Sequence, residues 1–531
     1  MKLRLRLARL ILAPCLSLLA AMPVCASRGG DDAIAWFDGG VDAAFARARA
    51  SDQPLFLYWG ASWCPPCNEI QATIFRRAEF IERTRRFVPV RIDGDEPGAQ
   101  ALADRFHVRN YPTMILFSST GAEVTRLQGE ADMGMFLQAL SLALGSVRTA
   151  REVIDLALGA DPGRVRAPEW TLLSSYFWEA DEGRLFPPAQ LPAGLLRLAR
   201  ACPSSQRADC DRLAFAGVAA AARGPVPLSE ADRAWALARA RKVIADGARS
   251  RMVFDDLAAS GPGMVEQLLP DGEERREFAL RWDEALGRQL ARAGLFPVDR
   301  LIALMARARL EVMAQGAASA ALRREISAAA RAAAAIRDPY ERMAAVSAAG
   351  DALSAARQFD EADALLQAEL ARTSNGYYTM IELAALARAR GDPAQAIGWY
   401  EKAFAASRGD ATRVQWGSRY VIALMELTPG EPQRAVSALE AMLATLPPER
   451  EGVSGRNAFY LRKVARAIDA WEAAGAPAEA VARSRSLLAG VAPPPSPPGR
   501  GAGGEGFKSP STPAQSPPVP NAPPPRPAGG G

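Results

Sequence analysis

The spacing of apolar residues divides this chain of 531 residues into two parts. Near the N-terminus a short run, Leu55–Trp59, is rich in leucine and aromatic residues and predicts a buried strand. After residue 148 the composition changes to Ala, Arg, Leu and Glu, and from Pro168 to about Gly490 the apolar positions recur at helical spacing. We therefore expect a strand-containing N-terminal domain and then an all-α region with its own core.

A pair of cysteines follows the predicted strand. Residues 60–62 turn the chain, and Cys64 stands where a helix should begin, with Cys67 three residues later on the same face. The N-terminus of that helix favours the thiolate form of Cys64. A thiolate that can attack a disulfide, with a second thiol to resolve the intermediate, is a redox device.

Two other interpretations of this pair are weaker. A zinc site needs a second pair of ligands, but the chain has a single histidine, His107, and Cys202 and Cys210 lie far along the sequence. A structural disulfide would join two elements, whereas this context places the pair at an exposed helix tip. We expect a redox pair and no metal site.

The elements that follow the Trp63–Cys67 motif come in a characteristic order. They are a helix near 78–86, strands over 87–93, 113–117 and 124–127, and a closing helix over 131–144. Residues 33–145 therefore resemble the α/β thioredoxin fold, and most closely the thioredoxin-like domains typified by the C-terminal periplasmic domain of the reductase DsbD. About a fifth of the chain is covered by this resemblance.

The resemblance implies roles for individual residues. Cys64 is expected to be the nucleophile and Cys67 the resolving thiol, so that the two form the active-site disulfide. Tyr111 and Pro112 are expected to form the substrate-docking loop, with the proline in cis and the backbone before it free to pair with a substrate strand. Trp63, next to the first cysteine, is expected to help bind the substrate.

Two positions qualify these roles. Six residues before the first cysteine the family has a buried acid, where this chain has Tyr58. Glu69 could partly replace that acid in proton transfer, or it could be a solvated charge on the helix, and the sequence leaves both open. His107 is expected to cap or pack at a helix end and to have no catalytic role.

The two residues between the cysteines indicate the direction of the redox reaction. Pro65 and Pro66 have no N–H, so the Cys64 thiolate keeps mainly the Cys67 amide as a backbone donor. A less stabilised thiolate means that the reduced form is not strongly favoured, and we expect a potential on the reducing side.

The first 26 residues predict secretion. Four basic residues precede the apolar segment Leu10–Ala21, and small residues lead to a cleavage site after Ala26. We expect export across the inner membrane to a periplasm, with an uncleaved N-terminal anchor as the alternative. The formal charge of +5 falls to about +1 without this segment and gives no reason to expect nucleic acid. In such an oxidising compartment Cys202 and Cys210 are expected to form a local structural disulfide.

Four helix-turn-helix signatures mark the second half of the all-α region. They lie at residues 358–362, 391–396, 430–435 and 475–480. Ala362 and Ala396 are 34 residues apart, the tetratricopeptide period. Residues 345–490 are therefore expected to be tetratricopeptide-like repeats, and 149–344 a helical region with possible degenerate repeats. A generic stack of helical hairpins is the alternative, and either would offer a concave face to a protein partner.

The C-terminal residues 491–531 are rich in Pro, Gly and Ser and predict a disordered tail. Since every redox motif lies in residues 27–148, we expect that domain to carry the chemistry and the helices to choose the partner.

The function expected from these features is that of a secreted thiol–disulfide oxidoreductase, preferentially a reductase, acting on protein disulfides. No nucleotide motif is present, so no cofactor is expected and the electrons must come from a protein. The resemblance implies a membrane dithiol relay of the DsbD kind as the electron donor. The alternatives are a dithiol oxidase, which differs in redox poise, and a non-enzymatic scaffold built on the same folds.

Overall fold

The structure, a computed structural model, describes residues 34–127, 133–145, 148–224, 226–292, 294–373, 376–446 and 453–491. The predicted signal segment, the tail from residue 492 and the first two residues of the helix expected over 131–144 lie outside the described residues. From Ile34 onward the described residues form one compact unit. Within the described part, no helix combines the length and the apolar character needed to cross a bilayer.

A four-stranded mixed sheet begins the fold. Its strands are β1 (Leu55–Gly60), β2 (Val88–Asp93), β3 (Thr113–Phe117) and β4 (Glu123–Leu127). They lie in the order β2-β1-β3-β4, with β1 parallel to β2 and antiparallel to β3. Each of the four predicted strands is present to within a residue.

Helices cover both faces of this sheet. They are α1 (Val41–Ser51), α2 (Pro65–Thr73), α3 (Ala78–Thr84), α4 (Ala99–Phe106) and α5 (Met133–Leu144). Along β1, Leu55, Leu57 and Trp59 pack into one core with α1 and α4. Phe56 and Tyr58 pack into the other core with α2, α3 and α5. Because both faces are buried, β1 is continuously apolar rather than alternating.

In the described residues after β4, every named element is a helix, as the spacing predicts. The first ten are α6 (Ala150–Ala157), α7 (Ala167–Ser174), α8 (Leu191–Ala201), α9 (Arg207–Arg223), α10 (Glu230–Ala245), α11 (Gly247–Met252), α12 (Phe254–Leu268), α13 (Glu273–Leu290), α14 (Pro297–Gln315) and α15 (Ala320–Ala334). Short 3₁₀ turns at 162–164, 178–180 and 204–206 interrupt them. The division at residue 148 remains a prediction, since the helices pack directly on the α/β part.

Four pairs of consecutive helices, each pair joined by a short turn, end the described part of the chain. They are α16 (Pro339–Ala355) with α17 (Phe359–Leu370), α18 (Tyr377–Arg390) with α19 (Pro393–Ala406), α20 (Asp410–Leu427) with α21 (Pro432–Leu443), and α22 (Gly455–Ala473) with α23 (Ala478–Ala489). Every predicted turn lies between the members of a pair. At two of these turns a glycine, Gly391 or Gly475, has positive φ. The all-α prediction is thus confirmed, while the assignment to tetratricopeptide repeats remains a prediction.

The edge strand β4 carries the first junction between the sheet and the helices. Leu127 forms an antiparallel bridge with Tyr176, and Phe177 N donates to the Arg126 carbonyl at 3.0 Å. The Arg126 side chain is fully buried and donates to Glu123, to the Ala180 carbonyl at 2.6 Å and to two carbonyls at the end of α4. This junction covers a strand edge that would otherwise expose unpaired backbone groups.

Candidate active site

The two cysteines lie where β1 passes into α2. Cys64 is the N-cap residue of α2 with an extended backbone (φ −85°, ψ 114°), and Pro65 takes the first helical position. Proline suits that position because its missing N–H would have no intrahelical partner there and its φ is already helical. Cys67 lies almost one turn further on, on the same face of the helix.

The two sulfurs are joined in a disulfide. The S–S distance is 2.32 Å and the Cα atoms are 5.2 Å apart. The backbone N–H of Cys67 points at Cys64 Sγ with an N···S distance of 3.3 Å. Pro65 and Pro66 have no N–H to donate. The Cys67 amide is therefore the backbone donor that Cys64 Sγ keeps, as the sequence predicts.

The Tyr111–Pro112 loop lies directly beside this disulfide. The peptide bond between the two residues is cis. The carbonyl oxygen of Tyr111 is 3.6 Å from Cys64 Sγ. This proximity follows from the sheet, because Thr113 at the start of β3 pairs with Trp59 near the end of β1.

Comparison with known proteins identifies this arrangement. Residues 41–144 match the thioredoxin-like domain family. A thioredoxin of Mycolicibacterium smegmatis is 34% identical over 94 residues, which are 18% of this chain and 81% of that relative. The chain belongs to the thioredoxin family. The predicted thioredoxin fold and the class of thiol–disulfide oxidoreductases are thereby confirmed for this domain.

A second relative is matched over only a small part of its own length. The thiol:disulfide interchange protein DsbD 1 of Pseudomonas aeruginosa is 30% identical over 107 residues, which are 19% of this chain and 18% of that protein. The chain therefore spans less than a fifth of the length of this relative. A solved structure of DsbH oxidoreductase covers 25% of this chain at 19% identity, with a TM-score of 0.20.

The thioredoxin active site of this chain is not at an exposed helix tip. Cys64 is 3% exposed, Cys67 0% and the neighbouring Trp63 3%. The side chains that cover them come from α18, α20 and α22, and we call these three helices the helical cap. The expectation of an open tip is wrong because a helix N-terminus in sequence carries no information about what packs on it later in the chain.

Trp63 is the centre of an aromatic cluster shared with the helical cap. Its ring centroid lies 5.5 Å from that of Trp416, with the two planes at 70°. It stacks at 6.1 Å on Tyr378 and lies 6.2 Å from both Tyr377 and Tyr111. Edge and offset contacts of this kind contribute beyond the apolar area that they bury.

Asp95 links Trp63 to the helical cap by hydrogen bonds. Trp63 Nε1 donates to Asp95 Oδ2 at 2.8 Å. Thr412 at the start of α20 donates to the same carboxylate twice, from its backbone N–H at 2.9 Å and from its hydroxyl at 2.5 Å. Burial raises the pKa of Asp95, while the bonds from Thr412 and Trp63 act in the opposite direction. The carboxylate thus bridges the active-site tryptophan and α20.

Arg456 at the start of α22 closes the other side of the site. Its guanidinium carbon lies 4.2 Å from the ring centroid of Tyr111 and 5.7 Å from that of Trp63. The guanidinium also donates to the Arg109 carbonyl at 3.0 Å and to Gln415 Oε1 at 2.6 Å. Arg456 therefore holds the Tyr111–Pro112 loop against the helical cap.

The far side of α2 packs on a further helix of the same array. Asn68 follows Cys67, is fully buried, and its amide nitrogen lies 2.9 Å from Met343 Sδ on α16. Helices from the second part of the chain thus contact α2 on two sides.

Three further residues considered in the sequence analysis are Tyr58, Glu69 and His107. Tyr58 is buried against Trp36 and Phe75, and burial raises the pKa of its hydroxyl far above the usual value. Glu69 is half-buried on α2. His107 is the C-cap residue of α4 with φ 52°, which is the helix-end position that the sequence predicts.

Cys202 and Cys210 lie far from the active site, at the junction of α8 and α9. They form a disulfide with an S–S distance of 2.07 Å and a sequence separation of 8. Both residues are buried.

Sequence reasoning missed the residues of the helical cap and Asp95. For Asp95 a signal existed, because parallel strands β1 and β2 end at the same edge, and the polar residues after β2 must lie near the motif after β1. For Tyr377, Tyr378, Trp416 and Arg456 no local signal exists, since an aromatic residue on a helix is equally consistent with packing inside the array.

Proposed function

We propose that this protein is a thiol–disulfide oxidoreductase that acts on protein disulfides through Cys64 and Cys67. One observation carries the proposal: Cys64 is the N-cap residue of α2 and its Sγ lies 3.6 Å from the Tyr111 carbonyl, in a domain of the thioredoxin family. Cys64 acts as nucleophile and Cys67 as resolving thiol. Trp63, Tyr111 and Pro112 bind the substrate strand.

The exchange proceeds in two displacements. The Cys64 thiolate attacks one sulfur of the substrate disulfide, forms a mixed disulfide and releases the other substrate sulfur as a thiolate, which takes up a proton from water. Cys67 then loses its proton to water, and its thiolate attacks Cys64 Sγ, forms the Cys64–Cys67 disulfide and releases the second substrate sulfur as a thiolate, which takes up a proton from water. The substrate gains two electrons, and the enzyme must be reduced again by an external dithiol.

The direction we propose is reduction of the substrate. The Cys67 amide is placed to donate to Cys64 Sγ, while Pro65 and Pro66 have no N–H. A thiolate with so few donors leaves the reduced form without strong stabilisation. A redox titration against glutathione should give a potential nearer to about −270 mV than to about −120 mV. A value near the second figure would make the protein a dithiol oxidase.

The compartment, the electron donor and the partner-binding region are proposed from the sequence and from the relatives. Residues 1–26 act as a cleaved secretion signal and place the enzyme in a periplasm. A membrane dithiol protein supplies the electrons, in keeping with the relatives named as thiol:disulfide interchange proteins. The helical region from residue 149 selects the protein partner. Glu69, half-buried on α2, assists proton transfer from Cys67.

A trapping experiment tests the role of the two cysteines. The Cys67→Ser variant cannot resolve the mixed disulfide, so substrates should accumulate on Cys64 and run as adducts that a reductant removes. Cys64→Ala in the same background is the matched control and should trap nothing. If Cys67→Ser traps no protein in its own compartment and Cys64→Ala keeps full function in vivo, the protein is a scaffold instead.

A further inference from the structure

The active site is closed in the structure, and this conflicts with exchange on a protein disulfide. A nucleophilic sulfur must meet the substrate sulfur along the disulfide axis, yet Cys64 is 3% exposed and Cys67 is fully buried. The docking loop is covered as well, since Arg456 lies on the Tyr111 ring and binds the Arg109 carbonyl. A folded protein cannot reach either sulfur in this arrangement.

The contacts that hold the helical cap on the site include the aromatic cluster of Trp63 and hydrogen bonds at the starts of α20 and α22. At α20, Asp95 accepts from Thr412, and Gly409 just before this helix lies against the same aspartate. At α22, Gly455 N donates to Asp104 Oδ1 at 2.7 Å and Arg456 N donates to Gln100 Oε1 at 2.9 Å. Both groups are at helix N-termini, where the free N–H groups need acceptors and the α/β part provides them.

We propose that the helical cap is a lid over the Cys64–Cys67 site, held shut by Thr412 and Arg456, and that it must open before a protein disulfide can react. The lid makes the oxidoreductase selective for partners that displace these two contacts, whereas small thiols and disulfides reach the sulfur more readily. If the helical cap did not open, it would either keep both large and small reagents away from Cys64 or admit both. The proposal rests on the proposed function only in taking Cys64 as nucleophile, because access to its sulfur can be measured without turnover.

The backbone offers a precise way to open the lid. Gly409 has φ +86°, and a Cβ atom there would lie 2.5 Å from Asp95 Cβ. Gly391 has nearly the same φ, +81°, but a Cβ atom there meets nothing within 4 Å. Gly409→Ala pushes the helical cap away from the α/β part and also strains the backbone, since Gly409 has ψ 144° whereas Gly391 has ψ 26°. Gly391→Ala is therefore the control for an alanine at positive φ next to α18 that makes no such clash. Thr412→Val with Arg456→Gln opens the lid by a second route that adds no strain.

The experiment measures alkylation of Cys64 in full-length Cys67→Ser protein in which Cys15 and Cys25 are also replaced by serine, so that Cys64 is the free thiol and Cys202 and Cys210 stay paired. The rate with a long polyethylene-glycol maleimide is divided by the rate with N-ethylmaleimide, and the same ratio in urea-unfolded chain sets the scale. In the closed protein this ratio should be about tenfold or more below the unfolded value, and both lid-opening changes should raise it while Gly391→Ala leaves it unchanged. Far-UV circular dichroism verifies that each variant is folded.

The outcomes test the lid and the proposed function separately. A wild-type ratio equal to the unfolded ratio, or a ratio that neither lid-opening change raises, overturns the lid. If a variant fails to fold, the wild-type ratio and the other variant still decide. With both cysteines present, the opened variants should also reduce insulin faster; a raised ratio without insulin reduction keeps the lid and overturns the proposed function.

Discussion

Glu382, a buried carboxyl group between α18 and α16, should make stability depend on pH. It is 7% exposed and accepts a hydrogen bond from the hydroxyl of Ser347. Burial first, and then the neighbouring charge of Asp351, raise the pKa of Glu382 from 4.5 to about 8. The group is therefore protonated in the folded chain at neutral pH, whereas in the unfolded chain it is ionised.

The sign and size of the effect follow from proton linkage. Between about pH 4.5 and about pH 8 the folded state holds a proton that the unfolded state has released. The folded state therefore becomes less stable relative to the unfolded state as pH rises. The loss is about 1.4 kcal/mol for each pH unit, or about 2.7 kcal/mol between pH 5 and pH 7. Glu382→Gln keeps the shape of the protonated side chain but has no proton to lose. The free energy of unfolding of Glu382→Gln, relative to that of wild type, should therefore rise by about 2.7 kcal/mol between pH 5 and pH 7.

Urea unfolding followed by far-UV circular dichroism at about pH 5 and about pH 7 measures this difference. The comparison is between two pH values within each protein, so any constant cost of the substitution cancels. Glu284→Gln on the exposed face of α13 is the matched control and should show no pH-dependent gain. A change below about 0.5 kcal/mol for Glu382→Gln would refute the reasoning.

Two further predictions concern stability away from the active site. Replacing Cys202 and Cys210 by alanine should cost about 2–3 kcal/mol, because the bridge closes a short loop in the unfolded chain; an unchanged urea midpoint would contradict this. Arg126→Met should cost about 3–5 kcal/mol, since it removes the buried partner of Glu123 and leaves buried carbonyls without their donor. Arg184→Met, which removes the more exposed partner of Glu123, should cost under about 1 kcal/mol in the same assay.

The local parts of the active site could be predicted because their signals are local. The apolar run before Cys64 is typical of a strand buried on both faces, and the missing N–H and fixed φ of Pro65 suit the first position of a helix. Pairing between Trp59 and Thr113 then brings the Tyr111–Pro112 loop to the cysteines.

The helix boundaries followed from the same kind of signal. Gly391 and Gly475 have the positive φ that ends a helix cheaply. Ala362 and Ala396, which suggest a repeat by their spacing, are both fully buried where paired helices approach closely. Helical periodicity and turn chemistry are properties of neighbouring residues, so one sequence suffices to recognise them.

The sequence by itself thus determined the thioredoxin fold, the cysteine pair at a helix N-terminus and the helical nature of the remaining described chain. Only the tertiary structure decided that the pair is covered. Asp95 and Thr412 are 317 residues apart, and the residues around each of them in the sequence do not predict the contact. Contacts at such distances depend on how whole helices stack, because packing joins surfaces whose residues are scattered along the chain. The closed active site is therefore a property of the assembled fold and not of any segment of it.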